Sequence, residues 1–350
     1  MKTKLNLKKD SRIYILDVGS RTGGGEALFQ LRCDLEDMGY RTYIAYKGSD
    51  LKEMVIPEKF RKYVLTEGCI CRLSDVADEE DNCIIVPEVA TTYLFGFKKI
   101  QKAVWWLSSN YYDGKCRFRN RPEGAVNEIK KCYDYAGYLK KCAVRLYKYR
   151  KVRYPLTDVV NISGYNHVDD ILRKKYHLEP VLLIHSIGQD FLNNKMSEEE
   201  ASAERENNVL YNPKKPSKLM ESLLKRNKFN YIPIINMSPD EMIALFRKSK
   251  LYLDFGPFPG PERLPKETVY NGVNVMVGKR NTATNYLDVR VPDKYKIDVK
   301  SSPEKIEQLI QYMLDNYKKI YPEFDDYRQM VENMEKVYYE QLGGIFGNNE

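Results

Sequence analysis

The chain has 350 residues, 43% of them hydrophobic, which is enough for ordinary globular cores and points to about two domains. Charged residues make up 30% and the net charge is +8, an excess that suits anionic partners such as nucleotide phosphates, nucleic acid or anionic lipid. No segment approaches the roughly 18–20 consecutive apolar residues of a membrane span, and no apolar run follows the basic start Met1–Asp10, as a secretory signal would require. The seven cysteines are odd in number, lack a Cys-x-x-Cys spacing and all lie before residue 143. Disulfides and a zinc site are therefore not expected, and the three histidines are too few for a histidine-rich metal centre. Reduced thiols imply a cytoplasmic protein.

Arg12–Val18 reads as a buried strand. The loop Gly19–Gly25 leads into a helix with apolar Leu28, Leu31, Leu35 and Met38, and Gly39 stands at the C-cap position. Tyr40–Tyr46 is the next strand, completing a βαβ unit with a glycine-rich first turn. The spacing of Gly19 and Gly23–Gly25 fits a nicotinamide-dinucleotide turn poorly. Further strands are expected at Cys83–Val86, Lys102–Leu107, Asp158–Ile162 and Val181–Ile184, with a helix near Val168–Lys175. Alternation of this kind predicts a parallel sheet covered on both faces.

The charged stretch Ser197–Asn208 shows no core face and reads as a linker. Alternation then restarts. Strands are expected at Val209–Tyr211, Tyr231–Ile235, Leu251–Phe255 and Val273–Val277. Between them come a helix carrying Leu219, Met220, Leu223 and Leu224, a helix opened by Ser238-Pro239-Asp240-Glu241 as a capping box, and a short helix Pro265–Asn271. A late helix carries Ile306, Leu309, Ile310, Met313 and Leu314, and the last 30 residues read as helical. The expected boundaries are 1–192 for the first domain, 193–208 for the linker, 209–320 for the second domain and 321–350 for a C-terminal helix that packs back on the first.

Two loops carry the chemistry. Asn212-Pro213-Lys214-Lys215-Pro216 follows one strand and opens a helix, so its two cations oppose the positive end of the helix dipole. The loop from Gly256 to Glu267 repeats the arrangement. Gly256 and Gly260 allow close backbone approach, Glu262 stands beside them, and Arg263 and Lys266 add charge at a helix start. In a parallel sheet both loops lie at the carboxyl ends of strands, where ligands bind. Helix N-termini with nearby cations suit a pyrophosphate. Either loop alone reads as a solvated edge; the pair together reads as an anion site.

Gly23-Gly24-Gly25-Glu26, the helix after it and Gly39-Tyr40 resemble the opening of GT-B glycosyltransferases, and Glu267–Val277 resembles their Glu-Ala-x-Ala-x-Gly-x-Pro-Val strand entry. More narrowly, Tyr252–Gly256, Pro259-Gly260, Arg263–Glu267, Gly278-Lys279-Arg280, Trp105–Ser108 and Leu210–Lys215 are similar to a group of bacterial glycosyltransferases of polysaccharide loci. The resemblance implies an α/β GT-B fold of two Rossmann-like domains facing across a cleft. It implies a nucleotide-sugar donor in the second domain and a glycan or lipid-linked acceptor in the first, in surface polysaccharide synthesis. Glu267 matches the second glutamate of the family's E-x7-E motif, which contacts the donor ribose; the first should stand at 259, where this chain has Pro259. Lys214 or Lys215 takes the place of the phosphate-binding lysine. The arginine that usually accompanies it is absent, Tyr211-Asn212 standing there, and Arg263 is the candidate substitute.

No cofactor beyond the sugar donor is expected. No Asp-x-Asp occurs in the sequence, so no metal is expected either. On the acceptor side Gly23, Gly24, Gly25, Ser108 and Asn110 are the candidate residues. Glu88, Asp17 and Asp113 are candidate bases for the acceptor hydroxyl, and the sequence does not rank them. Each is also an ordinary choice for a strand end or turn. Trp105 and Trp106 read as core or cleft wall, and the histidines as caps or packing residues.

Residues 115–153 hold 13 lysines and arginines against three acids, interleaved with tyrosines. The pattern suits an anionic membrane surface or a solvated face equally, which would make the protein peripheral on the inner face of a membrane. Flotation with anionic vesicles at low salt decides between the two. Nucleic acid is not expected as a partner. Two other classes of function stay open: a GT-B-like scaffold without catalysis, favoured by Pro259, and a basic nucleic-acid-binding protein, favoured only by 115–153.

Overall fold

A computed structural model describes residues 2, 4–20, 22–48, 50, 56–64, 66, 68–108, 112, 135–140, 143, 154–185 and 187–347. The chain forms two compact units, one of residues 1–164, 168–183 and 341–350, the other of residues 165–167 and 184–340. The expected linker lies inside the second unit. Ser197 caps a short helix, Glu198–Ser202, through a complete capping box with Glu200, and the following strand begins at Glu206. The acidic run that interrupts the apolar pattern is therefore a first helical turn, where negative charge is favoured by the helix dipole.

The first unit holds seven parallel strands, β1 (Arg12–Asp17), β2 (Arg41–Tyr46), β3 (Ile70–Arg72), β4 (Cys83–Pro87), β5 (Gln101–Trp106), β6 (Val160–Ser163) and β7 (Val181–Leu182), in the spatial order β3-β2-β1-β4-β5-β6-β7. β1, β4 and β5 are buried almost throughout, as continuous apolar runs flanked on both faces must be. Strand β3 is absent from the sequence reading because three residues give no periodicity to detect. Helix α1 (Gly23–Asp37) buries Leu28, Leu31 and Leu35, and Met38 is exposed because it occupies the C-cap. Gly39 follows at φ +93°, the left-handed position that favours glycine. The two indoles of β5 are anchored at their polar tips. Trp105 Nε1 donates to the Leu183 carbonyl (3.3 Å) and Trp106 Nε1 to Asn161 Oδ1 (3.0 Å), so both are core residues with a partner rather than sugar platforms.

The second unit holds five parallel strands, β8 (Glu206–Tyr211), β9 (Asn230–Pro233), β10 (Ser249–Asp254), β11 (Asn274–Gly278) and β12 (Lys296–Ile297), in the order β12-β11-β10-β8-β9. Helices α4 (Lys218–Arg226), α5 (Pro239–Lys248), α6 (Arg263–Tyr270) and α7 (Pro303–Asp315) connect or cover them and α3 (Glu198–Ser202) precedes them, whereas α2 (Asn166–Tyr176) belongs to the first unit from Val168 onward. The final helix α8 covers Asp325–Phe346. Ser217, Ser238 and Ser302 each cap a helix by accepting a backbone N–H from the first turn. The polar Arg205 is buried just before β8. Its guanidinium donates to the Phe246 carbonyl (2.9 Å), the Ser249 carbonyl (3.2 Å) and the Asn271 carbonyl (3.1 Å). These carbonyls belong to the C-terminal ends of α5 and α6, so one delocalised cation closes two helix ends and needs no carboxylate.

In each sheet the chain reverses its direction of build at one point, between β1 and β4 in the first and between β8 and β10 in the second. Crevices at the carboxyl ends of such strand pairs are where open α/β sheets bind ligands.

Candidate functional site

The loops singled out in the sequence leave β8 and β10, the two strands at the switch point of the second sheet. Tyr211 at the end of β8 pairs with Leu253 of β10. This register carries Lys215 onto the end of β10. Its ammonium lies 3.0 Å from Asp254 Oδ2 and 2.8 Å from Glu262 Oε2, and 4.5 Å from the centroid of the Phe258 ring. The two loops touch at the backbone level. A Cβ on Gly256 would stand 2.7 Å from Lys215 Cβ, closer than real Cβ atoms approach, so glycine is required there.

The cation at 215 thus has partners from its own chain. The expectation that the loop needs an outside anion holds less simply than the sequence suggests, because Asp254 and Glu262, distant in sequence, neutralise Lys215. Nor does the loop directly start a helix: Ser217 accepts the Met220 N–H (3.1 Å) and caps α4, and Lys214 is exposed. Asp254 was not singled out by sequence reasoning. The available signal was a carboxylate closing an apolar strand, Leu251-Tyr252-Leu253-Asp254, since a buried charge must find partners. Besides Lys215 it accepts from Tyr252 OH (3.2 Å) and the Gly256 amide (3.3 Å). Burial pushes its carboxyl above the ordinary range, against the pull of Lys215. Burial likewise raises Glu262, opposed by Lys215 and the Gly260 amide.

Helix α6 begins at Arg263, two residues earlier than expected, and has no side-chain cap; the residue before it, Glu262, reaches Lys215 instead. Arg263 Nε lies 3.0 Å from Glu267 Oε1, one helical turn on. A Cβ on Gly188 would stand 2.5 Å from the Arg263 guanidinium, which places that side chain against the Gly188 backbone. Lys266 is different from both. It is 3% exposed, and no hydrogen bond or ion pair joins its ammonium to any described residue. Burial brings it down to about 8, against the influence of Asp288, Glu262 and Glu267, with Arg263 adding to the depression. Asp288, also missed in the sequence, is buried and accepts the backbone amides of Asn166 (2.8 Å) and His167 (2.7 Å). The Tyr327 hydroxyl and Thr282 Oγ1 are buried without a partner, and the Tyr327 hydroxyl is influenced by both Asp254 and Asp288.

In the first unit, Asp17 and Glu88 end or follow β1 and β4, the strands at that sheet's switch point. Asp17 Oδ1 accepts the Gly19 amide (2.8 Å), and burial raises its carboxyl above the usual range. Glu88 Oε2 accepts the Leu107 amide (3.1 Å) and is buried. Gly23–Gly25 form the first turn of α1 itself, not a loop before it. Only glycine fits at 25, where a Cβ would overlap the Ser20 carbonyl, whereas Gly24 meets Leu107 at an ordinary 3.6 Å. Ser108 is buried just after β5. Asn110, Asp113 and nearly all of 115–153 lie outside the described residues.

No family model matches the sequence, and no curated protein matches it. Solved structures do match. A glycosyltransferase from Rickettsia africae ESF-5 is similar at 12% identity over 97% of this chain and 100% of that chain, with a TM-score of 0.59. WaaG, a glycosyltransferase involved in lipopolysaccharide biosynthesis, is similar at 11% identity over 96% of this chain and 100% of that chain, TM-score 0.55. Sucrose-phosphate synthase from Thermosynechococcus elongatus is similar at 10% identity, 96% and 95% covered, TM-score 0.52. The fold is GT-B. At these identities the likeness is one of fold, and the GT-B frame assigns no role to any single residue of this chain.

Proposed function

We propose that the protein transfers a glycosyl group from a nucleotide-sugar donor to a glycan or lipid-linked saccharide, in the synthesis of a surface polysaccharide. The observation that carries this reading is Lys266, a side chain 3% exposed in the first turn of α6 with no ion pair among the described residues. Arg263 and Glu262 lie near enough to act on it electrostatically, and Glu262 in turn pairs with Lys215 at the end of the second sheet. An unpaired buried cation costs free energy, and a bound anion offsets it. In this reading the donor's diphosphate is that anion. As the glycosidic bond breaks, the departing nucleoside diphosphate gains negative charge. Fixed cations and the free N–H groups of α6 stabilise that charge without reorganising. Because these cations supply the positive field, no metal is required. Glu267, held by Arg263, contacts the donor ribose. The acceptor hydroxyl meets the first unit, where Asp17 and Glu88 at the β1/β4 switch point are candidate bases. The raised Asp17 carboxyl moves toward the value a general base needs at neutral pH.

A thermal-shift screen against common nucleotide sugars identifies the donor, and release of the nucleoside diphosphate then reports turnover. Glu267→Gln is expected to lower turnover by about 100-fold. Turnover is also expected to survive EDTA; loss that magnesium restores overturns the metal-free assignment. A second reading, a GT-B scaffold without catalysis, draws on Pro259 and on the internal pairing of Lys215. Donor binding with no turnover under any acceptor condition supports the scaffold, and failure to bind any nucleotide sugar removes both readings. Among the described residues no helix is long and apolar enough to cross a membrane. A peripheral contact through 115–153 rests on sequence alone.

A further inference from the structure

The three cations of the second-sheet crevice, Lys215, Arg263 and Lys266, stand beside three carboxylates, Asp254, Glu262 and Glu267. Lys215 and Arg263 are therefore already paired before any ligand enters, and an anion reaches them only if one of these carboxylates withdraws. The three are not equally able to do so. Asp254 has a side chain 1% exposed and is tied to Lys215, Tyr252 OH and the Gly256 amide. Glu267 has a side chain 5% exposed, is set within α6 and is paired one turn back with Arg263. Glu262 has a side chain 23% exposed and precedes the helix rather than lying within it. Its carboxylate leaves the α6 N-terminus uncapped in order to reach Lys215 at 2.8 Å. It is also near enough to act on Lys266 electrostatically. A carboxylate that pairs with Lys215 and accepts the Gly260 amide just before a helix start does there what a phosphate would do.

We infer that Glu262 is a specificity-determining residue: it occupies a phosphate's place at Lys215 and is displaced only by a ligand carrying two linked phosphates. A single phosphate exchanges one ion pair of Lys215 for another and gains little. A diphosphate replaces the Glu262 contact and has a second anionic group to offer the buried Lys266. The residue thereby rejects monophosphates, including the nucleoside monophosphates that share the donor's base and ribose. The inference rests on the donor reading above and adds to it a residue that opposes binding.

The test is calorimetric titration of the full chain with inorganic pyrophosphate and, separately, with orthophosphate. Glu262→Gln removes the competing charge and keeps the size; Glu262→Ala, checked for folding by its melting temperature, guards against a new amide contact. Both variants are expected to bind pyrophosphate roughly tenfold more tightly than the parent protein. They are also expected to gain more for orthophosphate, so that the preference for the diphosphate shrinks. Unchanged or weaker pyrophosphate binding in both folded variants, with binding intact in the parent, overturns the role of Glu262 and leaves the donor site standing. Absence of pyrophosphate binding in parent and variants alike overturns the donor site, and this inference falls with it.

Discussion

Replacing Lys266 by methionine is expected to stabilise the ligand-free protein while weakening its hold on pyrophosphate by more than about tenfold. The side chain is 3% exposed and its ammonium pairs with no described residue, so the fold bears the cost of a desolvated charge. A depression from 10.5 to about 8 corresponds to about 3 kcal/mol against the charged form. Methionine fills a similar volume without the charge, so the expected gain is about 2 kcal/mol, somewhat less because packing is not remade perfectly. The pH dependence has a definite sign. The folded-state value lies below the unfolded one, so between about 8 and 10.5 the unfolded chain binds more protons. The contribution of this group to stability is therefore unfavourable below pH about 8 and is relieved as pH rises toward 10.5. Denaturant midpoints from pH 7 to 10.5 should show this rise in the parent and lack it in Lys266→Met. A variant that is less stable than the parent at pH 7 would mean that an anion-independent contact holds Lys266, and the buried-cation argument would fail.

Lys215→Met is expected to act in the opposite direction on stability. Its removal strands Asp254, whose side chain is 1% exposed, and breaks two ion pairs at 3.0 and 2.8 Å. Removing one partner of a buried pair costs about 3 kcal/mol, because the other charge stays buried. The penalty depends on pH. Without Lys215 the Asp254 carboxyl, already raised by burial, rises further, and the folded state then binds a proton the unfolded state does not. Stability of the variant should fall as pH increases from about 4 through neutrality, and the gap to the parent should narrow in acid. The double variant Lys215→Met/Asp254→Asn should recover most of the loss, since the amide needs no counter-ion. A double-mutant cycle by chemical denaturation measures this coupling. Additive losses would show that the two side chains do not act as a pair. Both lysine variants should bind pyrophosphate poorly, so that opposite stability changes accompany the same functional change. That combination separates a site residue that strains the fold from one that supports it.

The sequence was informative wherever the signal is local. Period-3.6 faces, the Ser238 cap with Pro239 at a helix start and Gly39 after a helix end are set by neighbours within a turn or two, and the elements they predict are present. Short strands without periodicity, β3 and β12, were invisible for the same reason. The acidic run 197–200 reads as a linker in sequence because a capping box and a linker share a composition. The cations at 214–215 and 263–266, and their place at the ends of strands, were also legible, since alternation of strand and helix already implies a parallel sheet with its loops at one edge.

What the sequence left open was which strands are neighbours. Only the order β12-β11-β10-β8-β9 sets the end of β8 beside the end of β10 and brings Lys215 to Asp254, 39 positions away. Strand adjacency follows from how apolar faces pack, which no window of sequence reports. That packing decided the fate of each charge: among the described residues Lys215 acquires Asp254 and Glu262, Arg263 acquires Glu267, and Lys266 is buried without an ion pair. The sequence by itself determined a GT-B-like alternation and two basic strand-end loops. The tertiary structure decided which cations of these two loops meet a carboxylate among the described residues and which does not, because desolvation and pairing depend on three-dimensional neighbours and not on composition.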